Sequence, residues 1–227
     1  MGIDTSSADL GVSVAAYGSP LSSVCRYVAN SHAEHITQAV KTTLDLAGVN
    51  ISQINRIAVS AGPGSFTGLR IGLSFVKGLS LNSDVKVLPL SSLMVLAHAV
   101  NCHTQRRVFT ALDARQGRIH WSSFICSKGI ISRLTEDRLS APEELINELK
   151  GDDLLVTDTM GYTRSTVFGR FDGKTEIIDV SKNSLQRAVS CAVLGFYRLD
   201  EKSLWKRGSE VVPNYLQMSA AQEKLCV

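Results

Sequence analysis

No C-x-x-C pair occurs in this sequence; its five cysteines, Cys25, Cys102, Cys126, Cys191 and Cys226, stand far apart and are odd in number. That spacing excludes a zinc knuckle and a disulfide framework, and it predicts reduced thiols in a cytoplasmic setting. No apolar run reaches the roughly 18 residues that would cross a membrane, and the N-terminus lacks the basic segment and apolar stretch of a secretion signal. Low-complexity tracts and a repeat of fixed period are missing as well. Net charge is also slight, +3, too small by itself to argue for nucleic-acid binding. What is present is ordinary for a globular protein: 227 residues, 44% hydrophobic and 20% charged, enough for one large domain or two small lobes.

The charge is unevenly placed. Residues 106–138 carry seven Lys/Arg against three Asp/Glu. Such a stretch, with Arg106, Arg107, Arg115, Arg118, Lys128, Arg133 and Arg138, has the chemistry to touch phosphates. Basic residues at alternating strand positions read more often as a solvated face.

Periodicity divides the chain into two blocks. Gly2 to Ala15 reads as a hairpin whose first strand ends at Asp4 and whose second carries Val12 and Val14. Only Met1 to Asp4 is available to that first strand, short of the usual 5–6 residues, which suggests a start trimmed by a few apolar residues. From His32 to Ala47 the apolar spacing is helical, and Gly48 supplies a stop. A strand over 55–61 then feeds a glycine-rich loop, a helix over 67–81, a strand over 85–89 and a helix capped by Ser91. After residue 105 strands restart at 108–112 and 118–126, followed by a helix from Pro142 to Leu149. Short strands over 154–157 and 177–180 and a helix over 185–199 complete the pattern. Alternation of this kind in two blocks predicts an α/β protein of two lobes, residues 1–103 and 104–227, with the final segment packing back on the first lobe.

The loop Ala61-Gly-Pro-Gly-Ser-Phe-Thr-Gly-Leu-Arg70 invites a reading as a phosphate cradle. Glycines let a backbone approach a ligand closely, and a helix start offers N–H groups to an anion. The P-loop pattern fails, because Leu69 stands where a lysine is needed, and Gly62, Gly64 and Gly68 are spaced wrongly for a dinucleotide fingerprint. Spacing alone leaves a tight structural turn on equal footing. A serine-hydrolase elbow is absent too, and Ser65 reads as a residue that orders the loop.

Taken together, several motifs resemble the TsaB (YeaZ) family. GPGSFTGLRIG follows about sixty residues after an I-D-T-S hairpin. His32-Ala-Glu34 is similar to that family's H-S-E, Ala111-Leu-Asp-Ala-Arg115 to its A-L-D-A-R, and Pro213-Asn-Tyr-Leu216 to its closing P-x-Y-L. The resemblance is strong over residues 2–116 and thinner beyond. It implies a two-lobed actin/Hsp70/sugar-kinase-like (ASKHA) fold. The implied role is a non-catalytic subunit that binds and activates the TsaD-type catalytic subunit, with the TsaE-type ATPase, in threonylcarbamoylation of tRNA adenosine next to the anticodon. Contact with tRNA would come through that complex, and the chain alone would form a homodimer. The rival is an ATP-binding phosphotransferase or glycopeptidase-like enzyme of the same superfamily.

Catalytic relatives of this family carry a metal-binding H-x-x-x-H, whose spacing puts both rings on one helical face. Aligned through the preceding strand, those positions fall here on Ser92 and Leu96. His98 and His103 are spaced five apart, and His32 and His35 lack the H-E-x-x-H pattern of a zinc protease. No metal and no catalytic residue is therefore expected.

For nucleotide, Asp4, Thr5, Ser6, Gly62, Gly64 and Ser65 read as a vestigial site, since an Asp can hold a magnesium water. The resemblance places a second glycine-rich turn at Leu155–Gly161, where bulkier residues stand. Weak ATP or ADP binding is expected in the complex only. The resemblance also implies that the helical face bearing His32, Ile36, Val40, Leu69, Gly72, Leu73 and Val76 meets the catalytic subunit or a second copy. From spacing alone, those apolar residues read first as core that covers the sheet.

Overall fold

The computed structural model describes residues 1–100, 102, 104–158, 175–181 and 184–216. The chain divides into two compact units, one formed by Met1–Val95 with Asn183–Pro213, the other by Leu96–Lys182 with Asn214–Val227. The boundary thus falls earlier than 103/104, and the part of the chain that returns to the first unit is residues 183–213.

The first unit is built on a six-stranded sheet in the order β12-β5-β4-β1-β2-β3. Strands β1 (Gly2–Asp4), β2 (Asp9–Ala16) and β3 (Ser19–Tyr27) form an antiparallel meander, and β4 (Arg56–Gly62) and β5 (Lys86–Ser91) join β1 in parallel. Helix α1 (His32–Ala47) buries Ile36, Ala39, Val40, Thr43 and Leu44, the stripe its 3–4 spacing dictates. Gly48 ends it in the left-handed conformation at φ 65°. Helix α2 (Phe66–Leu79) buries Leu69, Leu73 and Val76. With α1 it encloses an apolar core that includes Ile3, Val12, Ile57, Val59 and Val87.

The last helix, α5 (Ser184–Tyr197), packs on β1, β2 and β4 and buries Ala188, Cys191 and Ala192. Close approach is possible because β1 begins with glycine: a Cβ on Gly2 would lie 2.4 Å from the Ala192 nitrogen. Beyond α5, Trp205 stacks under the Arg56 guanidinium at 5.5 Å, β12 (Lys206–Arg207) pairs with β5, and Val211 enters the core. These contacts, a cation over an aromatic ring, a backbone pairing and an apolar anchor, are why residues 199–213 belong to the first unit.

The second unit has a five-strand path, β11-β10-β6-β7-β8. Strands β6 (Arg106–Asp113), β7 (Ile119–Ser127) and β8 (Ile130–Arg133) form an antiparallel meander, while β10 (Leu154–Thr157) and β11 (Glu176–Asp179) join β6 in parallel. Its core gathers Phe109, Ile119, Trp121 and Leu155 with Leu145 of α4 (Pro142–Glu148). A short strand β9 (Arg138–Ser140) pairs with β7, and its Ser140 hydroxyl accepts the Trp121 indole N–H at 2.9 Å.

Both units share one strand plan: a three-strand meander, then two parallel strands added beside the meander's first strand. A repeat is therefore present, in the connections rather than in the residues. The first strand of each meander ends on an aspartate that closes the following turn. The Asp4 carboxylate accepts the Ser6 amide N–H at 3.0 Å, and the Asp113 carboxylate accepts that of Arg115 at 2.8 Å.

Gly2→Ala is expected to force α5 off β1 and to cost about 1–3 kcal/mol of stability in urea unfolding. Gly78→Ala on α2, where an added Cβ meets nothing within 4 Å, is the control and leaves stability unchanged or slightly raised.

Candidate functional site

The turn after β1 and the loop after β4 come together. Asp4 is buried, and its Oδ1 accepts both the amide and the hydroxyl of Ser6, at 3.0 and 2.6 Å. Its Oδ2 lies 2.8 Å from Nε of Arg187, with 2% of either side chain exposed. Arg187 comes from α5 and also donates to the Ser7 hydroxyl. The carboxylate suited to a magnesium water is thus turned onto a guanidinium, and its charge is met inside the protein.

The glycine-rich loop leans on this turn. The Ser65 amide donates to the Ser6 carbonyl at 2.8 Å, and its hydroxyl accepts from Gly68 N–H at 3.2 Å, capping α2. A Cβ at Gly64 would sit 2.4 Å from the Ser6 carbonyl oxygen. At Gly68 it would sit 2.1 Å from that of Thr5, and at Gly72 2.2 Å from the Thr5 hydroxyl. Gly68 and Gly72 are one helical turn apart and face the same way. The close approach that these glycines permit is therefore to the chain's own Thr5–Ser6 backbone. Thr5 is fully buried and its hydroxyl has no hydrogen-bond partner.

Of the residues expected to hold nucleotide, Asp4, Thr5, Ser6, Gly64 and Ser65 meet here; Gly62 pairs with Ser91 across β4 and β5. Arg187 was not legible from spacing, because nothing in its own segment marks it as the partner of Asp4. Of the second turn that the resemblance implies, Asp158 lies within the described residues; Thr159–Gly161 lie outside them.

The residues expected to form a partner face are corrected to core. His32, Ile36, Val40, Leu69, Leu73 and Val76 are between 1% and 5% exposed, and Gly72 is buried against Thr5. The apolar stripe of each helix points at the sheet, leaving Glu34, Gln38 and Lys41 of α1 and Thr67, Arg70 and Ser74 of α2 outermost.

Ser92 and Leu96 on α3 (Ser92–His98) are both 1% exposed. A hydroxyl and an isobutyl group at those positions do not fit a metal. Burial pushes the pKa of His98 down, and His103 lies outside the described residues. Among the described residues, no three His, Cys, Asp or Glu side chains gather as a metal-ligating group. Burial likewise raises the pKa of the Cys191 thiol, which contacts the Ser60 hydroxyl at 3.4 Å.

The basic segment 106–138 is largely committed to internal pairs. Arg106 meets Glu176, Arg107 meets Asp153, Arg133 meets Asp137, and Arg138 meets Glu148.

With this geometry in hand, comparisons with known proteins are informative. A family model described as TsaD, tRNA N6-adenosine threonylcarbamoyltransferase, matches residues 24–190. The tRNA threonylcarbamoyladenosine biosynthesis protein TsaB of Haemophilus influenzae is 30% identical over 132 residues, 54% of this chain and 56% of that protein. The Bacillus subtilis protein of that name is 24% identical over 99% of this chain and 96% of its own length. The match thus spans about half of the first relative's length and nearly all of the second's. Among solved structures, YeaZ from Pseudomonas aeruginosa superposes with a TM-score of 0.80 at 26% identity, covering 95% of this chain and 98% of that one. An activator of 2-hydroxyisocaproyl-CoA dehydratase from Clostridium difficile, with bound ADPNP, shares the fold at TM-score 0.53 and 13% identity, covering 96% and 98%. The two-lobed ASKHA-like α/β fold is established on these likenesses.

Removing either member of the buried ion pair leaves the other charge stranded. Asp4→Asn and Arg187→Met are each expected to cost about 3–5 kcal/mol in urea unfolding. The double variant is expected to recover most of that loss.

Proposed function

The chain belongs to the family of TsaD, tRNA N6-adenosine threonylcarbamoyltransferase, and from that premise we propose that it serves tRNA threonylcarbamoyladenosine biosynthesis as an accessory subunit. In this reading it binds a TsaD-type catalytic subunit, works with a TsaE-type ATPase, and pairs with itself when alone. One observation carries the non-catalytic part: the carboxylate of Asp4 is engaged by Arg187 at 2.8 Å in a fully buried pair. Ser92 and Leu96, buried in α3, add to it, since neither side chain is a ligand for the metal expected at that place in a catalytic relative. The relatives named TsaB support the pathway, and their names carry no enzymatic activity of their own. No helix among the described residues is long and apolar enough to cross a membrane, in keeping with an RNA-modifying assembly in the cytoplasm.

A phosphotransferase or glycopeptidase-like enzyme on the same fold is the competing reading, favoured by the ADPNP-bound structural neighbour. Modification of tRNA reconstituted with a TsaD-type subunit and a TsaE-type ATPase is expected to require this chain. ATP titrated onto the chain alone is expected to give no micromolar binding. Full modification in its absence, or tight ATP binding to it, would overturn the accessory role.

We place the partner contact on the outward side of α1 and α2, because the inward residues are core. Ser74→Arg, on the exposed side of α2, is expected to abolish copurification with the catalytic subunit while leaving the thermal melt unchanged. Undiminished copurification would remove α2 from the interface.

A further inference from the structure

Three cations stand in direct register across one end of the first sheet. Arg56 of β4 pairs with Lys86 of β5, and Lys86 pairs with Arg207 of β12. Residues directly opposite one another point to the same face of a sheet, so the three side chains form one row. Lys202, exposed, comes from the same strap that carries Arg207, whereas Lys206 pairs with Val87 and so points to the other face. Trp205 lies under Arg56 at 5.5 Å and ties the strap to the sheet. The residues come from three separate stretches of chain, so no charge run marks them in the sequence.

Two features bear on this row. Like charges directly opposite one another destabilise a sheet, and a glutamate at the middle position would be the favourable choice. Second, Arg106, Arg107, Arg133, Arg138, Arg187 and Arg198 each have a carboxylate partner. Among the described residues, none of Arg56, Lys86, Lys202, Lys206 and Arg207 forms an ion pair. The nearby acids do not neutralise the row: Glu210 accepts from the Arg207 backbone N–H, Glu201 pairs with Arg198, and Asp84 is exposed. A local rule broken without internal compensation is the mark expected of a functional surface.

We propose that this row is a docking surface for the phosphate backbone of RNA, made by this chain directly rather than by its catalytic partner. Adjacent strands lie about 4.8 Å apart, so three cations in register offer a short positive track. A backbone of closely spaced phosphates fits such a track, and binding it releases counterions. The choice of RNA over other polyanions rests on the proposed role in tRNA modification.

The test uses the full chain with a tRNA transcript, measured by fluorescence anisotropy over a range of salt. Lys86→Glu places an acid between Arg56 and Arg207, so its melting temperature is expected to equal or exceed that of the parent. Its affinity for tRNA is expected to fall at least about ten-fold, and the slope of log K against log salt to fall by about 1–2. Lys150→Glu, exposed in the second unit, is expected to change neither quantity as much. A Lys86→Glu protein that melts normally and binds tRNA with unchanged affinity and slope overturns the proposal. So does a loss matched by Lys150→Glu, or binding of polyglutamate but not of tRNA. A chain that stimulates reconstituted modification yet fails to bind tRNA would sink this inference alone, leaving the accessory role standing.

Discussion

Asp4 ends the first strand and Arg187 lies near the start of the last helix, and they meet with almost no access to water. Burying two charges costs several kcal/mol per ion before their attraction is counted. Such a pair survives only with close geometry and satisfied neighbours. Here the Ser6 amide and hydroxyl complete one oxygen of the carboxylate, and the Ser7 hydroxyl receives the guanidinium. The pair fixes where α5 crosses β1, and hence where Gly2 must leave room for Ala192. It also sets the turn against which the glycine-rich loop is seated. Chemistry and architecture are joined at this point, because the group that secures α5 is the one a nucleotide's magnesium would need.

The glycines of the loop follow from the same arrangement. A phosphate cradle and a close packing of helix on turn demand the same residue, since both require that no Cβ intrude. Sequence spacing does not separate the two uses. In this fold the space beside Gly68 and Gly64 is taken by the carbonyl oxygens of Thr5 and Ser6. The loop seats α2 on the turn, and α2 in turn presents its polar side outward.

Local signals were legible wherever the deciding physics was local. The helix over 32–47, with its glycine stop, coincides with α1, and Ser91 caps the third helix by accepting from Met94 N–H. Strands over 55–61, 108–112 and 154–157 fall within a residue or two of β4, β6 and β10. The polar strand β3, of which no residue is fully buried, and the two-residue β12 gave no alternation to read. The partner face was misplaced because an apolar stripe looks alike whether it meets a sheet or another protein; Leu73 and Val76 went to the sheet. In the basic segment 106–138 the charge is visible in sequence, but two of the carboxylates that meet it, Asp153 and Glu176, lie further along. Long-range pairing also hid Arg187 from Asp4, and it dispersed the Arg56–Lys86–Arg207 row.

The return of residues 183–213 to the first unit has a consequence for the order of events during synthesis. Residues 96–182 leave the ribosome as one stretch that contains every described strand of the second unit. The first unit begins earlier, yet it lacks α5 and the Arg187 counter-charge until nearly the whole chain has emerged. Domains fold as units once their residues are available. The lobe whose translation begins first therefore stays incomplete until residues 183–213 have followed the strands of the other. Until then the nascent chain carries Asp4 without its arginine and an uncovered sheet face where α5 will sit.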